Sequence, residues 1–247
     1  STAGGDVVVI NGTNFGPKGT VAIGRYQNND PGALLSGASY IQRNCSVVVQ
    51  STVAECTTVA GVGAYHKWTI TIASQRSAHS KDTTSYKPPE VLSLSRFSDR
   101  KTIVTLQTNG SQPVYVNGTN FGPVTISNAS VESPSNQVNA SYQNSHLLHL
   151  SGNLYRAFNC RVVIPHVQIL CYSVAGVGYR QLWRVVVGLQ ESRADNDDAN
   201  VTSSYLTPVI EHIQTGSLAT LDSAGGDQVT LRGSNFGPAN ERNVVNA

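Results

Sequence analysis

Apolar residues in this chain come in short bursts rather than long stripes. Val, Ile, Thr and Tyr gather in DVVVI (6–10), TVAI (20–23), SVVVQ (46–50), KWTITIA (67–73), EVLSLS (90–95), KTIVTL (101–106), PVYV (113–116), RVVIP (161–165), LWRVVVG (182–188), PVIEHI (208–213) and QVTLR (228–232). The bursts are bounded by Gly, Pro, Asn and Ser, and many alternate apolar and polar positions with the period of two that a half-buried strand requires. No window of a dozen residues sustains the stripe of an amphipathic helix. The pattern predicts an all-β chain with its strands at sandwich spacing.

The bursts also repeat in order. NCSVVVQSTVAECTTVAGVGAYHKWTITIASQ (44–75) aligns without a gap on NCRVVIPHVQILCYSVAGVGYRQLWRVVVGLQ (159–190), so Cys45, Cys56, Gly61, Gly63 and Trp68 return 115 positions later as Cys160, Cys171, Gly176, Gly178 and Trp183. The heptapeptide NGTNFGP stands at 11–17 and again at 117–123, with RGSNFGP at 232–238. The second copy carries an extra segment around ISNASVESPS (126–135), and SYKPPEVLSL (85–94) matches SYLTPVIEHI (204–213). Boundaries therefore fall near 87 and 206, giving a first unit at 1–87, a complete second unit at 88–206 and the N-terminal part of a third at 207–247. In the heptapeptide, Asn and Gly admit a left-handed backbone and turn the chain, with Gly16, Gly122 and Gly237 each preceding a Pro that stops the ladder. Phe15, Phe121 and Phe236 supply a large apolar anchor for each corner. A phosphate-cradling role needs a helix behind the glycines, and none follows. AGVGAY (60–65) and AGVGYR (175–180) read as hairpin turns.

A Pro-led first strand, Gly-x-Asn-Phe-Gly after the second, a Cys-containing hairpin, then AGVG and a Trp-centred strand resemble the IPT/TIG domain. The resemblance covers essentially the whole chain and implies tandem immunoglobulin-like β-sandwiches. The Pro-led strand is present in the second unit (Pro88, Pro89) and the third (Pro208) and missing from the first.

The four cysteines allow three pairings. Ten residues separate the two in each copy, which centres a turn and sets the sulfurs on facing strands. Only Cys45 with Cys56 and Cys160 with Cys171 leaves each copy self-contained, and that pairing is expected. Disulfides point to an oxidising compartment, as do seven glycosylation sequons at Asn11, Asn44, Asn109, Asn117, Asn128, Asn139 and Asn200. Asn11 and Asn117 are expected in the same turn of successive copies.

Little else invites chemistry. A net charge of +2 with 13% charged residues argues against a nucleic-acid partner. No apolar run is long enough to span a bilayer, and a secretion signal is expected outside STAGGDVVVI, which has no basic head. His146 and His149 would face opposite sides of a strand. The acidic cluster ADNDDAN (194–200) lacks the Gly and Glu of a calcium loop. No Gly-x-Ser-x-Gly elbow places a nucleophile. Trp68 and Trp183 open alternating strands and read as core residues rather than sugar platforms. The expectation is a protein without catalytic residues, metal or cofactor.

Adjacent prolines and almost no linker predict stiff joints between units, hence a rod. The expected function is that of a structural extracellular or cell-surface glycoprotein, a filament segment whose partners are covalent glycans and further copies of the same repeat, head to tail. The resemblance also implies two rivals, a ligand-binding ectodomain of the plexin or Met receptor type and a dimerising module of Rel-type transcription factors. Two arrangements fit the partial ends: an excerpt from a continuous array, the simpler of the two, or strand addition between chains.

Overall fold

In the computed structural model, residues 1–28, 39–96, 105–124, 138–144, 154–192, 201–215 and 220–239 are described. They contain strands and turns and no helix. A first group holds β1 (Val7–Asn11), β2 (Val21–Asn28), β3 (Ser39–Val49), β4 (Val53–Thr57), β5 (His66–Ile72), β6 (Gln75–Arg76) and β7 (Thr83–Thr84). A second holds β8 (Glu90–Ser95), β9 (Thr105–Leu106), β10 (Pro113–Thr119), β11 (Val138–Asn144), β12 (Tyr155–Arg156), β13 (Phe158–Ile164), β14 (Gln168–Tyr172), β15 (Gln181–Val187), β16 (Gln190–Glu191) and β17 (Thr202–Tyr205). β18 (Val209–Thr215) and β19 (Val229–Ser234) form an antiparallel pair of their own.

The chain is all-β and folds as tandem sandwiches. In the second group one layer runs β13-β14-β10-β8 and the other β12-β11-β15-β17-β9, with β16 on β15. The first group runs β1-β4-β3-β2-β5-β6, with β7 on β5. There the long β3 links both halves, pairing with β4 at one end (Ser46 opposite Glu55) and with β2 at the other (Tyr40 opposite Tyr26). Its counterpart in the second group is divided at Ala157 into β12 and β13, one in each layer. β11, VNASYQN, has too polar an outer face to stand out as a burst, yet Val138, Ala140 and Tyr142 alternate inward to the core.

Between the layers of the second sandwich lie Leu94, Val114, Val116, Phe121, Tyr142 and Trp183. The first is centred on Phe15, Tyr26, Tyr40, Val47 and Trp68. The tryptophans are 4% and 2% exposed, stacked on Tyr26 and Tyr142 at ring separations of 4.2 and 4.4 Å. Their indole N–H groups donate to Thr84 and Ser203 hydroxyls, so both rings are buried without an orphaned donor. Disulfides join Cys45 to Cys56 and Cys160 to Cys171 across Cα separations of 4.2 and 4.1 Å, stapling β3 to β4 and β13 to β14.

The heptapeptide corners divide their work differently from the sequence expectation. The left-handed backbone falls on Asn14 and Gly16, Asn120 and Gly122, and Asn235 and Gly237. Asn11 ends β1 and Asn117 lies within β10, so these asparagines are strand residues rather than members of a turn. The first glycine of each heptapeptide instead makes room for the anchor. A methyl on Gly12, Gly118 or Gly233 would come within 2.4, 2.5 or 3.0 Å of the Phe15, Phe121 or Phe236 ring. Asn120 and Asn235 then donate to the carbonyls of Pro88 and Thr207, tying the corner to the segment that leads into β8 or β18.

Candidate functional site: the joint between successive sandwiches

The two AGVG segments correct a second expectation. They are not hairpin turns, because the strands they connect do not pair: β4 leads to β5, and β14 to β15, which lies in the other layer. Each is a crossing loop held by tyrosines. Tyr86 donates to the Val59 carbonyl at 2.6 Å and shares a 2.7 Å bond with Tyr26, whose oxygen accepts from the Val59 N–H. Tyr40 bonds both the N–H and the carbonyl of Val62, at 2.8 and 2.9 Å. Tyr205, Tyr142 and Tyr155 repeat the arrangement on Val174 and Val177. Burial disfavours the phenolates of Tyr26, Tyr40, Tyr86, Tyr142 and Tyr205 and pushes their hydroxyls up, Tyr40 to about 12, so these five remain proton donors. Satisfying loop amides inside the sandwich offsets the cost of burying them.

The clamped loop of the first sandwich is pressed into the second. Val62 is 3% exposed and belongs to the apolar cluster of the second sandwich, not to that of its own. Gly63 meets Gly188 so closely that a methyl on Gly188 would lie 2.7 Å from the Gly63 nitrogen. Gln190 donates to the Tyr86 carbonyl at 3.0 Å, and the Thr2 hydroxyl shares a 3.0 Å hydrogen bond with His166 Nδ1. Only Lys87 separates Tyr86 from Pro88. Neither the tyrosine clamp nor the seating of Val62 was read from the sequence. The tyrosines are scattered at 26, 40 and 86, and only the recurrence of Tyr86 as Tyr205 signalled that they matter.

Close to the joint sits His66, buried among Tyr26, Tyr40 and Tyr86 with its Nδ1 lacking a hydrogen-bond partner. Burial lowers its pKa from 6.5 to about 4. The folded state thus disfavours the proton that the unfolded chain accepts below 6.5. The stability this site gives is complete above that pH and is lost as pH falls from 6.5 toward about 4. The second copy has Gln181 at the equivalent position. Acid titration of thermal stability is expected to show a loss over this window that His66→Gln flattens; an unchanged profile would remove His66 as its source.

The sequons differ in access. Asn11, Asn44, Asn109 and Asn139 are exposed. Asn117 is half-buried, its amide donating to Ser93 and Ser95 while accepting from Gln168. Asn128 and Asn200 lie outside the described residues, as do His146, His149 and the acidic cluster. Among the described residues no group of three or more His, Cys, Asp or Glu is placed to hold a metal. No described helix is long and apolar enough to cross a membrane. Neither a protein-family model nor a curated protein matches this chain.

Proposed function

We propose that this chain is a segment of an extracellular or cell-surface filament, a structural glycoprotein whose repeats are immunoglobulin-like sandwiches of the IPT/TIG type. The observation that carries the reading is the joint. Val62 sunk into the neighbouring sandwich, the Gly63 and Gly188 contact and the Gln190 bond to Tyr86 leave a one-residue link little freedom to bend. Domains that only share a chain rarely bury an apolar side chain in each other's core. Modules joined in this way transmit position and force, which suits a fibre.

Two disulfides suit an oxidising environment, and exposed sequons at Asn11, Asn44, Asn109 and Asn139 give glycans room outside the joint. Electron microscopy of the native material tests the reading. Sandwiches built of such strands are roughly 35–45 Å long. A fibre with an axial repeat of about 70–90 Å per pair of sandwiches is expected. Discrete monomers or dimers, with a mass unchanged by deglycosylation, would overturn it.

A further inference from the structure

The three heptapeptide strands are near copies, but their neighbours differ. β10 lies between β14 and β8. β19 has β18, and β1 has β4, as sole partner among the described residues. β8 and β18 seat on their glycine strands in the same register. Leu94 faces Val116 and Val91 faces Gly118, with Leu92 bulged out; Ile213 faces Leu231 and Ile210 faces Gly233, with Glu211 bulged out. Among the described residues, none covers β18 on its apolar face. Leu94 is 1% exposed, whereas its counterpart Ile213 is 65% exposed and Ile210 54%. On the other side, Val114 and Val116 are fully buried under β8, while their counterparts Val8 and Ile10 are left half-exposed beside the open edge of β1. Among the described residues, β1 presents an open edge and β18 an uncovered apolar face.

We propose that β18 of one copy of this chain leaves β19 and docks on the open edge of β1 of a second copy, completing that copy's first sandwich. This rests on the head-to-tail reading above and names its contact. The register follows from the in-chain pairs: Ile213 opposite Ile10, Ile210 opposite Gly12 and Gln214 opposite Val9. Ile213 and Ile210 then occupy the places that Leu94 and Val91 hold in the second sandwich. The exchange replaces one set of strand hydrogen bonds with an equivalent set, so its gain is the apolar area of Ile210, Ile213, Val8 and Ile10 removed from water. Segments exchanged between identical environments favour this type of association.

Two further segments supply the rest of the contact. Gly178 is exposed and Val177 half-buried where Gly63 and Val62 are buried, and Ala73 to Gln75 stand exposed where Gly188 meets Gly63 and Gln190 bonds Tyr86. The match has one departure. Ala73 holds the place of Gly188, where a methyl would fall 2.7 Å from the facing backbone, so the joint between copies sits wider than the one within the chain.

The test mixes two variants of the 247-residue chain that each add one cysteine to the two disulfide pairs, Val9→Cys and Gln214→Cys, at micromolar concentration under mild oxidation. Neither variant can link to itself in this register, so a cross-linked heterodimer is the expected product, with higher oligomers of the unmodified chain by light scattering. Ile213→Asp changes a residue exposed in the single chain and is expected to fold normally and abolish both. Oligomers without the cross-link would overturn strand docking while leaving self-association intact. A chain that stays monomeric would overturn it too, yet an axially periodic native fibre would still uphold the filament reading.

Discussion

Replacing Gly118 with alanine is expected to cost the second sandwich about 4 kcal/mol, beyond the usual range for an overfilled core. The added methyl would lie 1.9 Å from the Glu90 carbonyl oxygen and 2.5 Å from the Phe121 ring. Neither neighbour can yield cheaply. Glu90 belongs to β8, which is fixed on β10 through Thr119 opposite Glu90 and Gly118 opposite Val91. Phe121 is fully buried. Relief therefore requires β8 to separate from β10, exposing Leu94. Gly12→Ala provides the comparison, because its methyl meets the Phe15 ring and no backbone strand. It is expected to cost about 1–2 kcal/mol. Urea unfolding of both variants, followed by tryptophan fluorescence, measures the difference; equal costs would show that the ring alone requires the glycine.

Removing the Cys160–Cys171 bridge by alanine at both positions is expected to destabilise the second sandwich by about 2–5 kcal/mol. The bond closes a short loop, with a sequence separation of 11, so the loss of unfolded-state entropy it imposes is modest. Packing adds to it. Cys171 is fully buried in the apolar cluster of the second sandwich, and truncation leaves a void in that cluster. In the first sandwich the sulfurs are just as enclosed: a methyl on Gly24 would meet Cys45 Sγ at 2.9 Å and Cys56 Sγ at 3.0 Å. Calorimetry of the two double-alanine variants should show each lowering one transition or destabilising a single shared one. A change under about 1 kcal/mol would mean that the ladders hold the strands without the staples.

Strands rich in branched residues could be read from the chain because their side chains announce both propensity and an inward face, as in VVVIN of β1 and QLWRVVV of β15. β11 could not, since Asn139, Ser141 and Gln143 point away from the core and dilute the signal of Val138, Ala140 and Tyr142. In the heptapeptide, composition located a corner but not which Asn and Gly make it. That choice depends on which backbone groups face β8, a long-range fact. The AGVG segments misled for a related reason. A glycine-rich stretch between two strands looks the same whether the strands pair or lie in opposite layers, and only the topology distinguishes them. The repeat period was the most informative feature of all, because it located the joint at Tyr86 and Pro88 without revealing that Val62 fills it.

The parallel pairing of β17 with β9, in which Ser204 faces Thr105 and Tyr205 faces Leu106, gives this architecture a mechanical property. The chain enters the second sandwich through β8 and β9 and leaves it through β17. A pull on the two ends drags these parallel neighbours past one another instead of peeling them apart. Their hydrogen bonds, together with the Leu206 N–H to the Leu106 carbonyl at 2.9 Å, must then rupture as a set. Tension is met by shear at the point where the chain passes from one module to the next.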